Sequence, residues 1–224
     1  DVPYSSDWRI MKFSIEKLRP TRNGMTISRD SKLGNSTKVT YFSMGKDTSI
    51  SQESYDRMTM YIGASGWGEF IIGEEPEIIK LQPDELLIVP AGTLCGMQTS
   101  NGIVYTEIIC TGKDINMNAN VKTNEVFALK NLISYEEGSI ANMDVVSTPD
   151  MKYVLMAFDE GTGLTPHRAP GNAIVFALEG KATIGYEGKD YELSEGECFR
   201  FEKNGLHSVT ANGKFKMALL LVLE

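Results

Sequence analysis

The chain has 224 residues, is 42% hydrophobic and carries a net charge of −8 with 22 Lys and Arg. That length suits one or two globular domains, and the acidic balance, with no Lys/Arg stripe, disfavours nucleic acid and anionic membranes as partners. The longest apolar run, residues 217–223, is too short to span a bilayer, and Cys95, Cys110 and Cys198, far apart and without CxxC spacing, read as free thiols in a reducing, cytoplasmic setting.

Residues 1–12 read as an arm, with Trp8 as a hydrophobic plug. No leader pattern is legible, and a start at Asp1 leaves a processed or trimmed terminus open. The sequon Asn35-Ser36-Thr37 matters only in a secreted protein. Short runs rich in Val, Ile, Phe and Tyr follow at 38–43 (KVTYFS), 58–62 (MTMYI), 69–72 (EFII), 86–89 (LLIV) and 104–109 (VYTEII). Gly, Pro and Asp bound them, as they bound strands. Trp67, directly after Gly66, reads as a surface or interface aromatic.

The polar stretch 111–123 lacks apolar periodicity and reads as a linker. The expected organisation is a unit at 1–112, a linker at 113–124 and a unit at 125–224. Strand-like runs resume at 153–158 (YVLMAF), 174–178 (IVFAL), 182–186 (ATIGY), 198–201 (CFRF) and 215–223 (FKMALLLVL). Glu187-Gly188-Lys189-Asp190 between two of them reads as a hairpin turn. Many short strands without helical period predict an all-β sandwich or barrel.

The chain also repeats itself. At an offset of 114, Phe13 meets Phe127, Leu18 meets Leu132, Gly24 meets Gly138, Asp30 meets Asp144, Lys38 meets Lys152 and Gly66 meets Gly180. After Gly66 the register moves by two, which a longer hairpin at Gly73-Glu74-Glu75-Pro76 accounts for. Self-similarity at a fixed offset marks a duplicated unit, here of small-domain size.

Two segments carry the candidate chemistry: GTGLTPHRAPGNAIVFALEG from Gly161 and GECFRFEKNGLHSVTAN from Gly196. They resemble the paired motifs of the cupin superfamily, small jelly-roll barrels of the germin and seed-storage type. In the first, Gly161, His167 and Gly180 match, but Ala169 and Ala173 stand where the family has its second His and its Glu. In the second, Gly196 and His207 match, and Asn212 falls one place late. With the repeat, the resemblance implies two tandem cupin barrels (double-stranded β-helix, jelly-roll), a bicupin.

Carried back into the first half, the motif spacing puts Glu53, Tyr55, Thr59 and Cys95 at the ligand positions. A carboxylate with one thiolate suits few ions, so this half reads as a structural partner. His167 and His207 are the only histidines, and both fall at ligand positions, which predicts a shared pocket. They are the candidate catalytic, ligand-binding and metal-binding residues. Arg168 and Arg200 are candidates to clamp a carboxylate. Tyr153, Met156, Phe176, Tyr186, Phe199, Phe201 and Met217 are candidates to line an apolar cavity, with core packing the plainer role for each. Of these, Tyr153 and Phe176 are named with Arg168 as ligand-binding residues.

Three functions stay open on the sequence. The first is a binding module that holds a small organic ligand, a sugar or a carboxylate, with no certain cofactor. The second is an enzyme. It could be a metal-free isomerase or epimerase with a histidine base and a tyrosine acid. It could instead be a metal-dependent oxygenase or hydrolase, with a weakly bound divalent ion on the two histidines and a donor from Cys198, Glu202 or Glu197. The third is a purely structural protein. A monomer and a homodimer are both open.

Overall fold

The structure, a computed structural model, describes residues 11–224; Trp8 and most of the expected arm lie outside the described residues. The described chain is almost entirely β. A first series runs β1 (Lys12–Phe13), a one-turn helix α1 (Ile15–Leu18), β2 (Thr26–Asp30), β3 (Lys38–Met44), β4 (Thr48–Ser54), β5 (Thr59–Gly66), β6 (Gly68–Ile72), β7 (Glu77–Leu81), β8 (Glu85–Val89), β9 (Leu94–Thr99) and β10 (Ile103–Ile109). The second runs β11 (Asn116–Met117), β12 (Val126–Ala128), a 3-10 turn (Leu129–Asn131), β13 (Ile140–Ser147), β14 (Met151–Phe158), β15 (Gly163–Arg168), β16 (Asn172–Tyr186), β17 (Lys189–Ser194), β18 (Cys198–Phe201) and β19 (Leu206–Val222). Among the described residues no helix is long and apolar enough to cross a membrane.

The strands form a nine-stranded, a six-stranded and a four-stranded sheet, all antiparallel. The six- and four-stranded sheets enclose one apolar core with Tyr61, Phe70, Leu87, Met97 and Tyr105. The nine-stranded sheet folds around a second, with Val175, Ile184, Phe199, Phe201 and Phe215. A third core lies between the halves. Tyr41, Met60, Ile88 and Ile108 meet Tyr153, Leu155, Ile174 and Leu220 there. With both faces covered, β14 and residues 173–178 of β16 read as nearly unbroken apolar runs rather than alternating ones. Side chains from both halves thus share one buried apolar cluster.

Two local features recur at the offset expected from the sequence. The hairpin between β16 and β17 closes through two residues, Glu187 and Gly188, with φ of 48° and 80°. Both central positions are at positive φ, as a type I′ turn requires; Lys189 and Asp190 of the expected turn belong to β17. The matching hairpin between β6 and β7 closes through residues 73–76. The two extra residues account for the shift in repeat register. Gly66 and Gly180 sit at equivalent kinks with φ of 65° and 77°, and in each an added Cβ would lie 2.0 Å from a backbone carbonyl, of Gly102 and Lys214 respectively. No other residue fits there.

Strands are exchanged across the middle of the chain. β1 pairs with β18, Phe13 opposite Cys198, so the start of the described chain edges the second half. β12 pairs with β8, Val126 opposite Leu87, so the chain past the linker edges the first. The linker region is itself ordered: β11 pairs with β13, and Ile115, Met117 and Val121 pack against the central core. Apolar residues this sparse carry no period, so the stretch reads as polar in sequence. Arg200 adds a further stitch. It is buried, and its guanidinium donates to the carbonyls of Ser31 and Lys32 at 2.7 Å each, and to Glu202 at 3.1 Å. That corrects the expectation of a ligand clamp: its guanidinium is taken up by two backbone carbonyls and the Glu202 carboxylate. Glu224 holds the first half too, accepting from the backbone N–H groups of Asn35, Ser36 and Thr37.

Candidate functional site

His167 near the end of β15 and His207 near the start of β19 are direct partners across two antiparallel strands. Their ring centroids are 4.1 Å apart, tilted by 56°. The structure thus brings the two histidines together, as the motif spacing predicts. His167 Nδ1 is 2.9 Å from the Thr165 carbonyl and His207 Nδ1 is 3.1 Å from the Gly205 carbonyl. A carbonyl only accepts, so both Nδ1 atoms carry the proton and both Nε2 atoms keep a lone pair in the neutral rings. His167 is exposed and His207 half-buried. Burial first, and then the neighbouring His167, hold the His207 pKa below the ordinary imidazole value, against the opposing pull of the Gly205 hydrogen bond.

Behind His207 the space is filled. Phe201 stacks on it at 4.2 Å and 27°, and Tyr186 stands 5.5 Å behind Phe201. Ala169 and Ala173 are buried to 2% exposure beside them. Both alanines pack in one buried cluster with these aromatic rings, Ala173 directly opposite Phe201, and the exposed His167 and half-buried His207 stand at its rim. Met156, Phe199 and Met217 belong to the same packed interior.

The resemblance of the two motifs to those of the cupins implies a metal, and the residues here do not fit one. Two imidazoles and two methyl groups leave the ion short of donors, since such sites use three protein ligands or more. The replacement donors named from sequence are elsewhere. Cys198 faces the central core, Glu197 pairs with Lys12 at 3.3 Å, and Glu202 pairs with Arg200. Among the described residues no group of three or more His, Cys, Asp or Glu could hold an ion. Arg168 follows His167 in β15 and so takes the opposite face; its Nη1 donates to the Asn204 carbonyl at 2.7 Å.

Tyr153 and Phe176 are not part of this site. Inward positions on β16 are Ala173, Val175 and Ala177, and on β14 Val154 and Met156. Strand alternation therefore turns Phe176 and Tyr153 outward, to the seam between the halves. There they line a cavity of about 100 Å³. Counting in twos from Ala173 would have revealed this for Phe176 from the sequence.

The first half keeps the same scaffold with different chemistry. Glu53 is the direct partner of Cys95, as His167 is of His207, and the strand irregularity preceding each pair recurs. Thr59 is buried, with its hydroxyl on the Arg57 carbonyl. Sequence reasoning missed Glu107. It lies on β10 opposite Tyr61, 5% exposed, where burial pushes its carboxyl up to about 7 against a hydrogen bond from Tyr55. The signal was legible: one Glu in the otherwise apolar run VYTEII. Cys95 is pushed up to about 11, by burial chiefly, so its thiol is protonated and unreactive near neutrality. Cys95, Cys110 and Cys198 are all free.

Residues 154–223 match the family model of the cupin domain. No curated protein matches the chain. Among solved structures, a cupin 2 conserved barrel domain protein from Leptotrichia buccalis is 24% identical, with a TM-score of 0.82 over 94% of this chain and 95% of that one. Salicylate 1,2-dioxygenase from Pseudoaminobacter salicylatoxidans is 11% identical, TM-score 0.62, over 92% of this chain and 76% of that one. A single-site mutant of Bacillus subtilis oxalate decarboxylase OxdC is 12% identical, TM-score 0.54, over 95% and 77%. At these identities the likeness shows the fold: the chain has the all-β cupin jelly-roll, and the comparisons support the cupin superfamily.

Proposed function

We propose that this chain is a bicupin, two tandem barrels, whose downstream barrel binds a small hydroxyl-bearing organic ligand, of the sugar class, on the His167–His207 rim without a metal ion. The observation that carries this is the commitment of both Nδ1 atoms to backbone carbonyls. Two Nε2 lone pairs are left beside each other, which suits two hydroxyl donors. A carboxylate has no proton to give and would be accepted only once the imidazoles are protonated. The matching registers of Glu53–Cys95 and His167–His207 support the tandem reading.

The test is a thermal-shift and calorimetric screen of sugars and small carboxylates on protein purified without nickel resin, because a ligand that favours the folded state raises its stability. Sugars should stabilise at pH 7.5 and lose their effect in His167→Ala and His207→Ala. A stoichiometric metal ion lost in His207→Ala overturns the reading, and so does sugar binding that both variants retain.

A metal-free isomerase is the second reading. Tyr186 is the direct strand partner of His207 and the candidate for the tyrosine acid that a histidine base requires, although its buried hydroxyl accepts from the Glu202 N–H at 3.3 Å. Washout of a carbon-bound substrate deuteron into water, abolished in Tyr186→Phe, separates this from binding alone.

A further inference from the structure

The cavity between the halves is a different place from the imidazole rim, and its walls come from both halves. Asp84, Thr106 and Ala64 stand on one side, Tyr153, Phe176 and Cys198 on the other, with α1 at its edge. Tyr153 is 0% exposed, and its hydroxyl has no hydrogen-bond partner. A hydroxyl so buried is normally satisfied, and an orphan calls for a partner the chain does not itself provide. Burial holds its phenol far above the ordinary range, so the group is a neutral donor and acceptor. Asp84, half-buried, supplies a carboxylate to the same lining.

The lining has a sign. Its charged members are Asp84, Glu16 and Glu197, with no Lys, Arg or His. Lys12 answers Glu197 at 3.3 Å, which leaves Asp84 and Glu16. An anion would meet only like charge here. An ammonium would find a carboxylate for a charge-assisted hydrogen bond and the aromatic rings of Tyr153 and Phe176. One water needs on the order of 10–15 Å³ by this measure, so about 100 Å³ admits a molecule of several non-hydrogen atoms and nothing larger.

We propose that the inter-half cavity binds a small organic cation, a primary ammonium of a few carbons, which donates to the Asp84 carboxylate and the Tyr153 hydroxyl while its carbon chain lies against Phe176 and Ile62. Contact with both halves makes the cation a clamp across the seam. Binding follows the ionisation of Asp84. Burial, and then Glu195, push that carboxyl up to about 6 against the pull of Lys130; Glu16, Glu197, Tyr153 and Cys198 are the other titratable groups facing it. Affinity therefore falls as pH drops through about 6.

The experiment uses the full chain with n-propylammonium, and with propionate and 1-propanol as size-matched controls at equal ionic strength. Melting temperature and amide shifts are followed at pH 7.5 and 5. The amine alone is expected to raise the melting temperature and move the amides of Ala64, Asp84, Tyr153 and Phe176. Asp84→Asn should weaken it at least tenfold. Tyr153→Phe should weaken it several-fold without lowering the melting temperature of the ligand-free protein. The double variant His167→Ala, His207→Ala should bind the amine unchanged, which keeps this site separable from the rim. Equal stabilisation by propionate or 1-propanol overturns the proposal. Undiminished amine binding in Asp84→Asn, or a crystal grown in the amine that shows only ordered water in the cavity, does the same.

Discussion

Glu53 lies directly across from Cys95 on neighbouring antiparallel strands, in the register that elsewhere in the chain holds two imidazoles together. One slot of the repeat thus carries two chemistries, and in the first half burial holds the thiol protonated. A thiol held at about 11 rather than 9.0 has about 100-fold less thiolate at neutral pH. Iodoacetamide at pH 8 should label Cys95 at least tenfold more slowly than a free cysteine peptide, read by intact mass. Cys110 and Cys198, buried more deeply, should label more slowly still.

The titration of His207 is the next expectation. Its ring proton should shift in NMR with a midpoint below 6.5, and in His167→Ala the midpoint should rise part of the way back, because burial remains the larger cause. The sign for stability follows. A depressed imidazole pKa means that the fold favours the neutral ring, so this contribution is present above about 6.5 and is lost as pH falls. A midpoint unmoved by His167→Ala would contradict the 4.1 Å pairing.

Glu107 has the opposite linkage. Its folded pKa of about 7 lies above the ordinary 4.5, so the native state binds the proton more tightly. Stability is then fullest below about 4.5 and declines as pH rises through about 7. Glu107→Gln keeps an acceptor for Tyr55 and removes the charge. Urea unfolding should find it more stable than the parent at pH 8 by on the order of 2 kcal/mol, and nearly equal at pH 5. If the parent's decline between these pH values persists in the variant, Glu107 is not its source.

Arg200 is expected to matter for structure alone. Arg200→Met strands two carbonyls at the seam and should cost about 2–4 kcal/mol in unfolding free energy. Arg200→Lys should not restore it, since a single ammonium cannot copy the planar fork that reaches Ser31 and Lys32 together. Sugar binding at the rim should survive in both. Lost binding in a folded Arg200→Met protein would return this residue to the site.

Much of the architecture was legible because it rests on local chemistry. Short β-branched and aromatic runs, Gly66 and Gly180 at matching offsets, and the Glu187-Gly188 turn each have a sequence signal with a physical cause. The meeting of His167 and His207 followed from motif spacing. What escaped depends on which way strands face and what packs behind them. Tyr153 and Phe176 are aromatic like their inward neighbours, and only alternation distinguishes them. Arg200 looks like a surface cation until the loop at Ser31 and Lys32 folds over it. The packing of Ala169 and Ala173 in one buried cluster with Phe201 is a tertiary event that no window of sequence contains.

The traded strands β1 and β12 carry a consequence for how the molecule can be taken apart. A cut within residues 113–124 would leave each fragment holding an edge that belongs to its sibling, and β8 and β18 would each lose a covering strand. Neither piece should be well behaved in isolation, and unpaired borders of this kind invite aggregation. Mixed in equal amounts they should rescue one another by reciprocal donation, and the intact chain should melt in a single cooperative step.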